Sequence, residues 1–417
     1  MVRALALLLT AFTGFSGLVY EVTWQKYLAT LLGSHSEATA AVLAIFLGGL
    51  SLGYALFGRV SLRLVGRAKR EGRAPRLLLV YGVVEVAIGV YAWFFPLAFA
   101  AAQTLSLWLP LGGAGPAFAF DVLLAALLIG PPAVLMGGTI PILTQALARN
   151  LADATRFHAF VYAFNTAGAF AGALAAGFWL VPALGLIGVL RAMGLVNLAA
   201  GCVFLALGLR SGSTAVPRTP EVPARAIQHF ANYAAVAVLS GFAMMAIQTV
   251  LIRLGALSFG SSHFTFAMVV SVFVLCIALG SFAVSALPRI PRGVVVGNQW
   301  ALALLPLLLY ALLEDSPYYA HVLRSVFRDD LGGFYPFHLN AFAVMVVFVG
   351  PPVILSGAVL PLLFNQLRHE VGDLGQVAGR LSTAGTPWAR SSERSSAVTR
   401  SSSGSISTRS TASPSPP

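Results

Sequence analysis

The chain has 417 residues, 58% of them hydrophobic and only 10% charged, with a mean hydropathy of +0.84. An average soluble domain carries roughly a quarter charged residues, so the composition excludes an ordinary soluble enzyme. The net charge of +12 does not point to nucleic acid, because the basic residues sit in short clusters between apolar runs, where they act as topology signals.

Ten apolar stretches approach or exceed the roughly 20 residues that cross a bilayer as a helix. In chain order they predict helices over Ala4 to Leu32, Thr39 to Phe57, Leu77 to Phe99, Phe118 to Leu147, Ala159 to Leu180, Gly188 to Leu209, Ala231 to Leu257, Phe264 to Leu287, Gly293 to Leu313 and Pro336 to Leu367. Arg3 followed by apolar sequence superficially fits a secretory leader. The run continues past about fifteen residues without a small-residue cleavage site, so it reads as the first crossing. Cys202 and Cys276 both fall inside apolar runs, where a thiol behaves as a small hydrophobe. Neither a disulfide framework nor metal-ligand spacing is present, and no metal or cofactor is expected.

Placing the N-terminus in the cytoplasm puts Arg59, Arg63, Arg67, Lys69, Arg70, Arg73, Arg76, Arg149, Arg156, Arg210, Arg218, Arg225, Arg289 and Arg292 on that side, against Arg191, Arg324 and Arg328 on the other. Lys and Arg near helix ends resist translocation, so this asymmetry sets the orientation. The expected address is a cytoplasmic (inner) membrane, multi-pass, with both termini cytoplasmic.

The chain repeats itself. At an offset of 227 residues Glu21 falls on Gln248, Lys26 on Arg253, Gly33-Ser34 on Gly260-Ser261, Phe46 on Phe273 and Gly53 on Gly280. At an offset of 220, Gly130-Pro131-Pro132 falls on Gly350-Pro351-Pro352, Gly137 on Gly357 and Pro141 on Pro361. Six crossings in the first copy give both copies the same orientation, the arrangement of major-facilitator halves. The expected fold class is therefore all-α: a polytopic transmembrane helical bundle with a major-facilitator-like two-half repeat, about ten helices present of an expected twelve. Residues 1–210 form the first six-helix half, 211–230 a cytoplasmic linker, 231–380 a second half with four helices, and 381–417 a Ser-rich tail.

That tail has 13 Ser and 5 Thr in 37 residues and no apolar period, so disorder is expected. It stands where the repeat of Tyr162-Ala163-Phe164-Asn165-Thr166-Ala167-Gly168 belongs. Allowed codons for Ser382 to Arg400, read one base out of register, spell Tyr-Ser-Trp-Asn-Thr-Val-Gly-Ser-Leu-Ile-Gly-Ala-Leu-Ile-Gly-Gly-Tyr. The tail is read as a frameshifted version of an eleventh helix, a natural Ser-rich tail being the alternative.

Polar groups inside the apolar runs are the chemical candidates. Glu21 lies about 5 Å from the middle of the first helix at the α-helical rise, where an ionisable group is costly and functional by default. Gln25 follows one turn later on the same face, and Gln248 is the repeat partner of Glu21, so the three are candidates to bind substrate or ion in one central cavity. Glu85, about 12 Å into the third helix, is a fourth candidate, or a structural partner of a basic residue from the 59–76 loop. Asp121 is expected to stabilise the start of the fourth helix. Gly49 with Gly53, and Asn165 before Gly168 and Gly172, fit close helix packing. Pro131-Pro132 and Pro351-Pro352 are expected to kink their helices and free carbonyls toward a cavity. His35 and His263 occupy equivalent outer loops and read as exposed or interfacial. No phosphate-binding loop, nucleophile elbow or dinucleotide fingerprint occurs.

Ser16-Gly17-Leu18-Val19-Tyr20-Glu21-Val22-Thr23-Trp24, Gly33-Ser34, Gly49 to Gly53, Glu85 to Tyr91, Met136-Gly137-Gly138-Thr139-Ile140-Pro141 and Tyr162 to Gly168 together resemble the membrane part of bacterial spermidine-synthase-like fusion proteins. The resemblance covers roughly Ala11 to Arg380. It implies a facilitator-like helical domain that precedes a cytosolic aminopropyltransferase domain in that family; the catalytic domain and the last two membrane helices are missing from this chain. The loop from Gly58-Arg59 to Gly66-Arg67 carries Leu62 where the facilitator signature has an acid. Two functions follow as expectations. One is a transporter-like domain that moves or senses a small cation such as a polyamine, Glu21 neutralising its charge. The other is a membrane anchor for a spermidine-synthase-like aminopropyltransferase supplied as a separate chain. The lipid bilayer is a partner in both.

Overall fold

A computed structural model describes residues 2–33, 36–73, 75–109, 112–147, 151–210, 230–260, 262–287, 290–291, 293–328 and 330–371. The linker and tail expectations (211–229 and 381–417) and His35 lie outside the described residues. Among the described residues every regular element is helical: α1 (Val2–Leu32), α2 (Ser36–Arg70), α3 (Leu77–Trp108), α4 (Ala114–Leu147), α5 (Leu151–Ala175) running into a π turn (Ala176–Leu180), α6 (Val181–Arg210), α7 (Phe230–Phe259), α8 (His263–Ala286), α9 (Gly293–Glu314), α10 (Ser316–Ser325) and α11 (Leu331–Val371). Among the described residues nine runs are long and apolar enough to span a bilayer, one of them the 51-residue stretch Phe160–Arg210. The chain is an all-α, polytopic membrane bundle.

That long stretch holds two crossings. Gly168 of α5 lies against the carbonyl of Ala11, and Gly172 against that of Phe15, so α5 runs parallel to α1. The Thr13 and Tyr81 hydroxyls lie 3.4 Å apart, while the Trp24 and Phe95 rings stack at 5.3 Å, so α3 is also parallel to α1. Gly82 faces Gly201 and Gly89 faces Gly194, so α6 runs against α3. Between α5 and α6 the chain therefore reverses, and Gly185 breaks the helix with φ 65° and ψ 171°, a conformation open in practice to glycine.

In a bilayer, helices gain little from apolar contact alone, and small residues let backbones approach. The contacts here follow that rule and repeat. On α2 and α4, a Cβ at Gly53 would strike the Val134 carbonyl and one at Gly137 the Leu50 carbonyl. On α8 and α11, Gly280 meets the Ile354 carbonyl and Gly357 that of Ile277, the same pairs displaced by the two sequence offsets. Gly49 sits against Ala133 and Gly130, as Gly350 sits against Cys276. α5 and its π turn join the first six helices to α8 and α11: Gly177 faces Ala267, and Phe178 meets Phe264 at 5.2 Å and His338 at 5.4 Å.

Three expectations need correction. The stretch 314–335, to which the apolar runs assign no helix, holds α10, ten residues with Pro317 in its first turn and Arg324 over the Phe337 ring at 5.7 Å. Its length hides it from a search for membrane spans. Asp121 does not start α4, which begins at Ala114; its carboxylate accepts from the Ser106 hydroxyl at 2.6 Å, closing the α3–α4 hairpin. The proline carbonyls are not left open where their fate is visible. Pro132 deprives the Leu128 carbonyl of its helical donor, and the Tyr91 hydroxyl replaces it at 2.6 Å. Pro361 does the same to Gly357, and Ser281 donates there at 2.8 Å.

Candidate functional site

Among the described residues two buried carboxylates sit in the first six helices, in contrasting surroundings. Glu85 of α3 is fully buried and belongs to a network drawn from three helices. The Asn197 amide of α6 donates to its Oε2 at 2.7 Å, and the Tyr20 hydroxyl of α1 donates to Asn197 Oδ1 at 3.0 Å. The Tyr81–Thr13 hydroxyl pair stands on the same level, and Glu85 Oε1 makes no hydrogen bond. No ion pair reaches Glu85 among the described residues, so the expected partner from the 59–76 loop is replaced by Asn197. In that loop Arg67 instead bonds Glu71 at 2.8 Å on the surface.

The network is anchored by an aromatic wall. Tyr20 stacks on Trp24 at 5.1 Å, Trp24 on Phe95 at 5.3 Å, and Tyr27 meets Phe95 and Phe99 edge-on. These rings hold α1 and α3 in register, which fixes Tyr20 opposite Asn197.

Glu21 is the other kind of group. It is 4% exposed, and no hydrogen bond or ion pair reaches it among the described residues. Gln25, one turn on along the same face, buries an Oε1 without a partner, and the neighbouring Trp24 Nε1 is also unpartnered. Gly17, one turn before Glu21, lies 3.7 Å from Met136 Sδ when a Cβ is placed on it, so this face of α1 turns toward α4. Because α4 runs opposite to α1, Glu21 stands near the level of Pro131-Pro132, where α4 lacks backbone donors.

Gln248 is buried at 9% exposure on α7 and has no hydrogen bond among the described residues. α1 packs mainly on α5 and α6 and touches α8, whereas α7 packs mainly on α8, α10 and α11 and touches α2. Of the four expected binding residues, Glu21 and Gln25 share a face, Glu85 lies in the separate network, and Gln248 stands on another helix. His263 opens α8 with its ring on Phe264 at 4.1 Å and a buried, unpartnered Nε2. Among the described residues no group of His, Cys, Asp and Glu is arranged to hold a metal ion.

Sequence reasoning missed Asn197, Tyr20, Tyr81 and Thr13. Asn197 alone carried a signal, being an amide near the middle of an apolar run. A cleft of about 320 Å³ between α7, α9 and α11, lined by Asn232, Gln299, Trp300 and Leu363 among others, was not expected either. The Ser240 hydroxyl donates to Gln299 at 3.1 Å beside it.

Comparison with known proteins gives one partial match. The chain is 31% identical over 211 residues to a polyamine aminopropyltransferase of Corynebacterium efficiens, covering 49% of this chain and 36% of that protein. It thus spans about a third of that relative's length. No family model and no solved structure matches.

Proposed function

We propose that the chain is the membrane domain of a polyamine-handling protein, in which Glu21 is a cation-binding carboxylate inside the bundle. The observation that carries this reading is a contrast between two acids at membrane depth. Glu85 is bound into the structure by an amide, whereas Glu21 is buried without a partner among the described residues. A buried charge is stable only when paired or neutralised, so Glu21 needs a proton or a bound cation. Gln25, with its free oxygen on the same face, supplies a second acceptor for an ammonium group.

On this reading the chain forms two similarly oriented halves, 1–210 and 231–380, in a major-facilitator-like arrangement with a cytoplasmic N-terminus. The matched glycine crossings of α2 with α4 and α8 with α11 support this. Closure around Glu21 is then the occluded state of a carrier, and the site opens by movement of α1 against α4. The partial relative supports the substrate class by its name alone.

The test is uptake of labelled spermidine into proteoliposomes holding the full chain. Glu21→Gln keeps the shape and removes the charge, so flux falls to background while expression and folding persist. Undiminished flux in Glu21→Gln overturns the reading. A second reading, a membrane anchor for an aminopropyltransferase, is favoured by the relative's name; it predicts no flux in either protein and association with a soluble catalytic chain.

A further inference from the structure

Glu85 has the surroundings of a neutral acid. Its side chain is fully buried, the Asn197 amide donates to Oε2, and Oε1 has no partner. An ionised carboxylate accepts at both oxygens and donates from neither, so a buried one needs donors at each or a cation beside it. The donors around Glu85 are already committed. The Tyr20 hydroxyl spends its proton on Asn197 Oδ1 at 3.0 Å. Thr13 donates to the Thr10 carbonyl at 3.2 Å, so in the Thr13–Tyr81 hydroxyl pair the proton comes from Tyr81. Thr10 in turn donates to the Ala6 carbonyl at 2.7 Å and Ser16 to the Thr13 carbonyl at 3.0 Å. What these hydroxyls have left to offer is lone pairs, and a proton on Oε1 supplies the missing donor.

α3 packs on α6, α4 and α1, and the charged side chains of those helices stand elsewhere. On α6, Arg191 lies over the Trp93 ring at 6.0 Å, eight residues along α3 from Glu85, and Arg210 closes the helix thirteen residues past Asn197. On α4, Asp121 is held by Ser106 at the far end of α3. On α1, Arg3 lies over Phe157, Glu21 turns toward α4, and Lys26 stands six residues past Tyr20, about 9 Å along the axis. Tyr20 and Tyr81 are the titratable groups that face the carboxyl.

We propose that Glu85 is a proton-binding site whose occupancy holds α1 against α3 and α6. With the proton in place Glu85, Asn197, Tyr20, Tyr81 and Thr13 form a closed, neutral set. When the O–H bond of the acid opens and its proton passes to water, an unpaired carboxylate is left in a dry site, and α1 parts from α3 and α6 to let water reach it. Tyr20 then leaves Asn197, and Glu21, the next residue of α1, moves with it. The proposal does not depend on what Glu21 binds.

The experiment follows unfolding of the full chain by sodium dodecyl sulfate in mixed micelles between about pH 6 and about pH 9. It compares Glu21→Gln with the double variant Glu21→Gln, Glu85→Gln, so that Glu21 does not titrate in either protein. Gln has the shape of protonated Glu: its carbonyl accepts from Asn197 and its amide donates where the acid proton stands. At the acid end the two proteins are expected to unfold alike, and the infrared stretch of a protonated carboxyl in Glu21→Gln is absent from the double variant. A group protonated in the fold and ionised in the unfolded chain stabilises at low pH and loses that contribution as pH rises. The unfolding constant of Glu21→Gln therefore rises relative to the double variant by up to about tenfold per pH unit, the limit for one proton. Parallel pH profiles, a carboxyl stretch indifferent to Glu85→Gln, or loss of the fold in the double variant at the acid end, seen by circular dichroism, each overturns the proposal.

Discussion

Asn197 is the hinge of the polar network, and its replacement gives the most quantitative test of the packing described above. Asn197→Leu keeps the branching at Cγ and removes both a donor to Glu85 Oε2 and an acceptor for the Tyr20 hydroxyl. Glu85 Oε1 already lacks a partner, so the variant leaves the carboxyl without an amide donor and a buried tyrosine hydroxyl unsatisfied. Each stranded group costs about 1–3 kcal/mol, which for two groups predicts a loss of about 2–6 kcal/mol. Tyr20→Phe removes only one neutral hydrogen bond, and interhelical bonds of that kind in membranes average about 0.6 kcal/mol. The double variant should be less destabilised than the sum, because Asn197→Leu has already removed the partner of Tyr20. Unfolding by sodium dodecyl sulfate in mixed micelles, followed by the fluorescence of Trp24 stacked on Tyr20, reads all three. A loss below about 0.5 kcal/mol for Asn197→Leu, or strict additivity in the cycle, would refute the network as a stabilising unit.

Two further outcomes follow from the packing and the surface charges. Gly168→Ala drives a methyl into the Ala11 carbonyl and should cost about 1–3 kcal/mol by overpacking, whereas Gly48→Ala, open on its own face, should stay within about 0.5 kcal/mol; the same unfolding assay separates them. On the surface, the hydrogen bond from Arg67 holds Glu71 below the usual carboxylate range. A lowered folded value means that any contribution is present at neutral pH and lost as pH falls through that value. Both side chains are exposed, so Glu71→Gln should leave the unfolding midpoint unchanged at neutral pH and at pH 3 alike.

The crossings and the glycines at their contacts were largely legible in the sequence, because a bilayer demands long apolar runs and close helix approach demands glycine. Gly53, Gly137, Gly280 and Gly357 stand at repeat positions in the text of the chain and at backbone contacts in space. The polar interior was legible only in part. Glu21 and Glu85 announce themselves as acids in apolar sequence, but nothing local distinguishes the partnered one from the unpartnered one. That difference depends on Asn197, 112 residues away from Glu85 and brought near by the α3–α6 contact. Pairing Glu21 with Gln248 followed repeat symmetry alone, which fixes equivalent depth on equivalent helices. The proline breaks were visible while their outcome was not, since capping of Leu128 by Tyr91 depends on the tertiary register of α3 against α4. α10 escaped because ten amphipathic residues carry no spanning signal.

The central claim is that Glu21 holds a proton or a cation that can be exchanged. Carbodiimide reacts with protonated carboxyls in apolar surroundings, and mass spectrometry of the labelled full chain in lipid reports which acid was modified. The account predicts modification at Glu21 that added spermidine suppresses, with Glu85 unaffected by spermidine. Labelling of Glu21 that is indifferent to spermidine, or no labelling there at all, would contradict it.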